Sequence, residues 1–383
     1  MMERVLLQDF SVLIVCPSPK WSTIERRAIF DCTYLRDIGG NPVILCLKGS
    51  QVDKEADNED IPRIYVKKSK VNSKLKLGFY LELKKALRYK DFDIVHCYQL
   101  NTAWMACLIL KSKQRISIFY TLNQHLKKVY HGFLSKWWLK RLDAIFTLSK
   151  ETQEYARENF YFSYKKIKNL GTGIDILPSS HDFDTKVKSI GCIINNYSEL
   201  NRINKVIKTF RILKSKNKGH LDHLNLSLFL GPRIYQKDRA KKLLKDLDYE
   251  FYEGDIFLYS LTSKKSELKK LDVLLGISFD EPINDYEISS LIYSIPVLFP
   301  RTASRQSLLF RYGMVGESYM LDDVREAQSK LSLIINNYLN YLDCLESEAN
   351  EICASHGVES YSEVLRLSYE KSFQKRQRFS SIK

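Results

Sequence analysis

The sequence predicts an α/β protein made of two doubly wound, Rossmann-like domains. Short apolar runs of strand length alternate with helical segments, which is typical of parallel sheets with right-handed crossover connections. The alternation restarts after about residue 186, and a chain of 383 residues is long enough for two domains of ordinary size. We therefore expect a first domain over residues 1–178, a second domain over 186–360, and a C-terminal helix with a basic tail over 361–383 that packs back on the first domain.

The elements of the first domain begin with a buried parallel strand at residues 11–16. This apolar run ends at Pro17, and the helical stretch 24–38 that follows ends at two glycines, which can adopt the left-handed conformation of a helix end. Further strand candidates lie at 42–47, 93–98, 116–122, 143–148 and 166–170.

The second domain repeats this pattern after a polar linker at 178–184. Ligands of doubly wound sheets bind beyond the carboxyl ends of the strands, so we expect a site in a central cleft that both sheets face. The strand candidates are 189–194, 224–230, 249–252, 272–277 and 295–299, and terminal helices are expected at 337–355 and 361–374.

The composition is that of a globular protein, with 44% hydrophobic and 27% charged residues. The N-terminal ten residues contain acids and no long apolar segment, unlike a signal peptide. The eight cysteines show no paired framework, and several fall inside apolar runs, so we expect free thiols and a cytoplasmic location. The cysteines and histidines also lack the spacing of metal ligands.

The net charge of +15 indicates an anionic partner, such as an anionic membrane surface or a phosphorylated substrate. In the alternative interpretation, the charge belongs to a solvated basic surface without such a partner. No nucleic-acid-binding motif accompanies the charge, so we expect no nucleic acid. Two segments, 74–90 and 133–141, interleave aromatic and basic residues as surfaces on anionic lipid do. In the alternative interpretation, the apolar stripe of each segment packs on the sheet and the cations only face water.

Four segments together resemble family-4 retaining glycosyltransferases of the GT-B fold (group 1 glycosyltransferases). The segment 92–96, Phe-Asp-Ile-Val-His, is similar to one family strand, and 143–149, Asp-Ala-Ile-Phe-Thr-Leu-Ser, is similar to another. The segment 48–62 resembles the family's third-strand region, and 171–175, Gly-Thr-Gly-Ile-Asp, resembles the turn at its domain junction. The resemblance covers nearly the whole chain and implies two Rossmann-like domains.

The resemblance implies an enzyme that moves a sugar from a UDP- or GDP-linked donor to a surface polysaccharide or a lipid-linked glycan. Such an enzyme retains the anomeric configuration and needs no metal or other cofactor. A lipid-linked acceptor would suit a peripheral position at the inner face of the plasma membrane.

The family's donor motif is half present. Anchoring the motif on Pro296 and Val297 places its first glutamate at Glu281 and its second at Ser289. The resemblance implies that Glu281 contacts the donor sugar, as the catalytic residue of the motif, and that Ser289 lies at the ribose. A single short hydroxyl replaces a carboxylate there. If this segment is a helix, Glu287 lies about 200° away and is not expected to substitute, whereas in a loop it could.

The family's basic pair at the donor diphosphate is also replaced. The alignment places Asn196 and Asn201 at these positions, where neutral hydrogen bonds are about half as strong as charge-assisted ones. Arg202, one residue further, and Arg233, after a predicted strand, are candidate replacements for the cations. The alternative interpretation, which we favour for both, is an arginine exposed on the surface.

The acceptor side differs from the family as well. The histidine position is occupied by Asn123, and His125 lies close by. The loop after the first strand has no glycine, which limits how closely its backbone approaches a phosphate. Arg26, with Lys20 and Arg27, offers positive charge for an anionic acceptor. His96 lies within a predicted strand and is expected to be a core residue.

These substitutions favour a second hypothesis. The chain is then a catalytically inactive glycosyltransferase homologue that binds or scaffolds an active partner subunit in a glycosylation complex.

Overall fold

The computed structural model describes two compact units. Unit 1 comprises residues 1–171 and 359–383, and unit 2 comprises 172–358. The structure describes residues 10–19, 21–67, 77–89, 91–111, 115–122, 133–160, 162–176, 186–195, 197–217, 219–231, 234, 254–260, 265–279 and 283–380.

Unit 1 is built on a parallel sheet of seven strands in the order β3-β2-β1-β4-β5-β6-β7. Its central strands are completely buried because they are apolar on both faces, as a sheet covered by helices on both sides requires. The strands are β1 Ser11–Val15, β2 Asn41–Leu47, β3 Arg63–Val66, β4 Ile94–Cys97, β5 Ser117–Leu122, β6 Ala144–Thr147 and β7 Ile167–Asn169. The helices between them are α1 Thr23–Asp37, α2 Gln51–Asn58, α3 Leu77–Tyr89, α4 Leu100–Ile109, α5 Phe133–Arg141 and α6 Lys150–Asn159.

Unit 2 is built on a parallel sheet of six strands in the order β10-β9-β8-β11-β12-β13. In both sheets, the second and third strands lie on one side of the first strand, and all later strands lie on its other side. The strands are β8 Ser189–Ile194, β9 Asn225–Leu230, β10 Ile256–Ser260, β11 Val273–Leu275, β12 Val297–Pro300 and β13 Gly316–Tyr319. The helices are α7 Tyr197–Leu200, α8 Ile203–Lys216, α9 Asp285–Ile292, α10 Ala303–Tyr312, α11 Val324–Asn336 and α12 Tyr338–His356.

The last helix, α13 Val358–Ser380, adds three side chains to the core of unit 1. Tyr361, Leu365 and Tyr369 are fully buried there. The Tyr361 hydroxyl donates to the Asp31 carboxylate at 2.7 Å, and that of Tyr369 lies 2.7 Å from His96 Nδ1. Aromatic burial and hydrogen bonds to buried polar groups thus hold this helix on unit 1.

His96 is a core histidine, as the sequence predicts. It is completely buried, and its Nε2 lies 2.7 Å from Thr121 Oγ1. Burial lowers the pKa of His96 to about 3, because a charged ring is poorly solvated there. Both bonds suit the neutral ring: Nδ1 accepts from Tyr369 while Nε2 donates to Thr121.

All eight cysteines lie among the described residues and are free thiols, as predicted. Within the described part of the chain, no helix is both long and apolar enough to cross a bilayer.

Most predicted strands are present to within a residue or two, with three differences. The segments Arg63–Val66 and Gly316–Tyr319 form strands that were not predicted. The strand predicted at 249–252 lies outside the described residues, and the strand that pairs with β9 on the side away from β8 is Ile256–Ser260. The predicted linker at 178–184 also lies outside the described residues.

Candidate functional site

The candidate site in unit 2 lies where the strand order reverses, between β8 and β11. Connections leave these two neighbouring strands in opposite directions, so a crevice forms beyond their carboxyl ends, where doubly wound sheets bind ligands. Asn195 follows β8, and Gly276 follows β11.

The segment after β8 is fixed by a buried carboxylate. The backbone N–H of Asn195 donates to Glu199 Oε2 at 2.5 Å, and Glu199 is 3% exposed. Asn201, exposed in the turn between α7 and α8, follows. Asn196, predicted at the donor diphosphate, lies outside the described residues. Glu199 thus holds the backbone that follows β8, whereas Asn201 is exposed to solvent.

Arg202 is the N-cap residue of α8 and contributes to a cluster of charges. Its Nε lies 3.6 Å from Asp322 Oδ1, and Lys205 Nζ lies 2.7 Å from the same oxygen. Both cations line a cavity of about 20 Å³, with Leu275, Ile277 and Tyr319 among its other walls. Arg233, the second predicted replacement, lies outside the described residues.

The segment after β11 ends at a tightly capped helix, α9. Asn284 is its N-cap, and the Asn284 Oδ1 accepts the backbone N–H groups of Tyr286 at 2.9 Å and Glu287 at 3.0 Å. Two of the four backbone donors that a helix leaves free at its start are therefore used within the chain. Glu281, the predicted catalytic residue, lies outside the described residues three positions before this cap.

Ser289 is completely buried in the second turn of α9. Its hydroxyl donates to the backbone carbonyl of Asp285 at 2.5 Å. In this conformation the hydroxyl is used within its own helix, and the assignment of Ser289 to the donor ribose stays a prediction.

Glu287 forms a buried ion pair with Arg305, a residue that the sequence analysis did not predict to lie in the site. Arg305 Nη2 lies 2.7 Å from Glu287 Oε2, and the two side chains are 0% and 1% exposed. The other Glu287 oxygen faces Gly276, where an added Cβ would lie only 2.6 Å from it. The Glu287 carboxylate is thus paired with Arg305 inside the unit, and the expectation that Glu287 does not replace Ser289 at the ribose stays a prediction.

In unit 1 the predicted acceptor-side cations lie at the start of α1. Arg26 is partly exposed. Arg27 is 5% exposed, and its guanidinium lies 4.5 Å from the centre of the Tyr361 ring, so it packs into the unit. The neighbouring Asp31 is completely buried, and burial raises its pKa to about 6 despite the opposing charge of Arg27. Asn123, His125 and Lys20 lie outside the described residues.

Two kinds of comparison agree with this architecture. A family profile described as Glycosyltransferase Family 4 matches residues 24–176, which is less than half of the chain. Among solved structures, a glycosyltransferase from Rickettsia africae ESF-5 superposes with a TM-score of 0.73 at 16% identity, covering 95% of this chain and 98% of that chain. No curated protein sequence matches the chain.

Two further solved structures share the fold. Anabaena Alr3699/HepE in complex with UDP-glucose has a TM-score of 0.72 at 11% identity, and covers 94% of this chain and 99% of its own. The lipopolysaccharide outer core galactosyltransferase WaaB has a TM-score of 0.63 at 15% identity, with 98% and 100% covered. The predicted GT-B fold is confirmed, and so is the resemblance to family-4 glycosyltransferases. Identities this low show the fold, and the reaction has to be argued from the site.

Proposed function

We propose that the protein is a glycosyltransferase that moves a sugar from a nucleotide-sugar donor to a surface polysaccharide or a lipid-linked glycan. The observation that carries the proposal is the reversal of strand order at β8 and β11, with cations beside the carboxyl end of β11. The similarity of the fold to a protein solved in complex with UDP-glucose and to a galactosyltransferase supports a nucleotide sugar as the donor.

The proposed reaction needs positive charge where the leaving diphosphate develops negative charge. Arg202 and Lys205 supply two cations at the start of α8. Glu281 would hold the donor sugar through its hydroxyls, with UDP or GDP as the leaving nucleotide. By its resemblance to the family, the reaction retains the configuration of the transferred sugar.

A second function, an inactive homologue that binds a partner subunit, is favoured by a specific observation. The Asn284 side chain takes two backbone donors at the start of α9, and Ser289 is buried. Both features reduce the number of groups near β11 that remain for a nucleotide. Without nucleotide binding the fold would serve as a scaffold.

A nucleotide titration separates the two functions. We expect a UDP- or GDP-sugar to raise the thermal unfolding midpoint, since a ligand at a hundred times its Kd stabilises the folded state by about 2.7 kcal/mol. ADP- and CMP-sugars should give smaller shifts. The measurement is a thermal shift assay, followed by detection of released nucleotide.

The matched pair of variants for this titration is Glu281→Ala and Glu346→Ala. Glu346 is an exposed acid on α12. Glu281→Ala should remove the sugar-dependent shift in a folded protein, and Glu346→Ala should keep it. The absence of a response to every nucleotide sugar would exclude the enzyme and leave the scaffold.

We also propose that the acceptor is met at an anionic membrane surface. The apolar stripe of α3 is used in the core, because Phe79, Leu83 and Leu87 are buried. The exposed face keeps Leu81, 55% exposed, and the cations Lys85 and Arg88. An apolar side chain among cations is the chemistry that binds anionic lipid headgroups.

We expect the protein to float with vesicles that contain phosphatidylserine at low salt, because each exposed cation near the membrane surface adds to the attraction. Lys85→Glu with Arg88→Glu should abolish flotation. The control reverses two exposed cations of unit 2, Lys208→Glu with Arg325→Glu, and should float. The same loss in both double variants would show that net charge, rather than this face, causes binding.

A further inference from the structure

We propose that Asp322 is an internal counter-anion, which holds Arg202 and Lys205 until the phosphates of an anionic ligand displace its carboxylate. The ligand class is a nucleoside diphosphate, and to this extent the inference rests on the proposed function. The counter-anion would regulate how tightly the site binds its donor.

The contacts of Asp322 are suited to exchange. One oxygen of its carboxylate serves both cations, at 2.7 Å from Lys205 Nζ and 3.6 Å from Arg202 Nε. The side chains of Arg202, Lys205 and Asp322 are 24%, 46% and 47% exposed. Partly exposed ion pairs are weak, so a ligand with more charge can replace the carboxylate.

The turn at Asp322 places its carboxylate beside the two cations. Asp322 has a φ of 77°, in the left-handed region that glycine, asparagine and aspartate adopt more readily than other residues. Aspartate therefore fits this turn and brings a negative charge to the two cations. The neighbouring Asp323 has a different task, since its side chain caps α11 by accepting the N–H groups of Arg325 and Glu326.

The position of the cluster links it to the carboxyl end of β11. Leu275 and Ile277, which flank Gly276, line the same cavity as Arg202 and Lys205. Tyr319, another wall of the cavity, donates its hydroxyl to the Gly276 carbonyl at 2.9 Å. The cations therefore border the segment that leads from β11 toward Glu281.

The charges match a diphosphate better than a single carboxylate. Asp322 contacts both cations through a single oxygen, and a diphosphate brings more negative charge and more acceptor oxygens to both. The cavity beside them, about 20 Å³, has room for about one water molecule, so the ligand would lie over the rim of the cavity and not inside it.

The test compares Asp322→Asn with the unchanged protein by isothermal titration calorimetry, with inorganic pyrophosphate and UDP as separate probes. Asparagine accepts the left-handed backbone, so the variant should fold. Removing one like charge beside the ligand should tighten pyrophosphate binding about three- to tenfold at low salt, with a smaller gain at high salt. The gain should disappear when Arg202→Gln and Lys205→Gln are added.

Glu317→Gln is the matched control, because Glu317 pairs with Lys330 at 2.8 Å and does not line the cavity. This variant should bind pyrophosphate as the unchanged protein does. Equal pyrophosphate affinity in Asp322→Asn and the unchanged protein, or no binding by either, would overturn the counter-anion. UDP reports separately on the proposed function: pyrophosphate binding that tightens in Asp322→Asn without any binding of UDP would support the counter-anion and count against a nucleotide donor.

Discussion

Replacing Arg305 with methionine is expected to lower the free energy of unfolding by about 3–5 kcal/mol, the typical cost of removing one partner from a buried ion pair. Arg305 contacts Glu287 through Nε and Nη2, at 2.7 to 3.2 Å, and its Nη1 donates to Thr302 Oγ1 at 3.1 Å. The variant leaves a carboxylate inside unit 2 without its cation. The measurement is guanidinium-induced unfolding followed by circular dichroism.

A second substitution distinguishes the lost pair from a simple loss of packing. Glu287→Met in the Arg305→Met background removes the isolated charge, and apolar replacement of both partners is often close to neutral. The double variant should therefore recover most of the loss. Recovery is incomplete because Glu287 Oε2 also accepts the backbone N–H of Asn284 at 3.2 Å.

The control for this cycle is a partly exposed arginine. Arg301 pairs with Glu326, and their side chains are 36% and 25% exposed. Arg301→Met should cost less than about 1 kcal/mol, as for other ion pairs near the surface. A similar cost for Arg301→Met and Arg305→Met, or a double variant no more stable than Arg305→Met alone, would contradict the assignment.

The buried pair also has a consequence for the site. Glu287 completes a capping box with Asn284, in which each side chain bonds the backbone of the other residue. Arg305 holds the Glu287 carboxylate, and the carboxylate helps to hold the N-terminus of α9. Arg305 thereby stabilises the end of α9 that lies at this site.

The strands that the sequence predicts well are those whose own residues are apolar and so indicate that the strand is buried. The strands β1 and β8 are apolar throughout and are buried at every position. By contrast, β13, Gly-Glu-Ser-Tyr, has almost no apolar character. It pairs with β12 because Gly316 lets the backbone approach Val297, whose carbonyl oxygen lies 2.1 Å from where a Cβ would be. Such a strand forms because of its pairing with a neighbouring strand, so its own residues do not predict it.

The site shows the same division between local and distant interactions. The Asn284 cap is a local interaction, because Asn284 and Glu287 are only three residues apart in the chain. The partners of Glu287 and Arg202 are distant in sequence, since Arg305 and Asp322 are 18 and 120 residues further along the chain. Only the fold brings these charges together, so a single sequence gives no sign of them.

Acidification from pH 7 is expected to destabilise unit 1 through His96. Its folded pKa of about 3 lies below the usual 6.5, so the unfolded chain binds a proton that the folded one does not. Stability is therefore fully present above pH 6.5 and falls as the pH drops toward 3, by up to about 1.4 kcal/mol per pH unit. Asp31 acts in the opposite direction, because its folded pKa of about 6 lies above the usual 3.8.

Between about pH 6 and pH 4, the effects of His96 and Asp31 on the free energy of unfolding oppose each other. Substituting one of them therefore reveals the pH dependence that the other causes. Over this range the folded chain holds a proton on Asp31 that the unfolded chain releases, which adds stability as the pH falls. Asp31→Asn removes this gain, and the variant should lose about 2 kcal/mol more than the unchanged protein between pH 6.5 and 4.5. His96→Gln should lose less stability than the unchanged protein over the same pH range.

The measurement is the free energy of unfolding at pH 6.5, 5.5 and 4.5, which gives the slope of stability against pH for each variant. The double variant should have a smaller slope than Asp31→Asn. Equal slopes in Asp31→Asn and His96→Gln would show that neither buried group controls the acid response, since the structure requires the two slopes to differ in opposite directions from that of the unchanged protein.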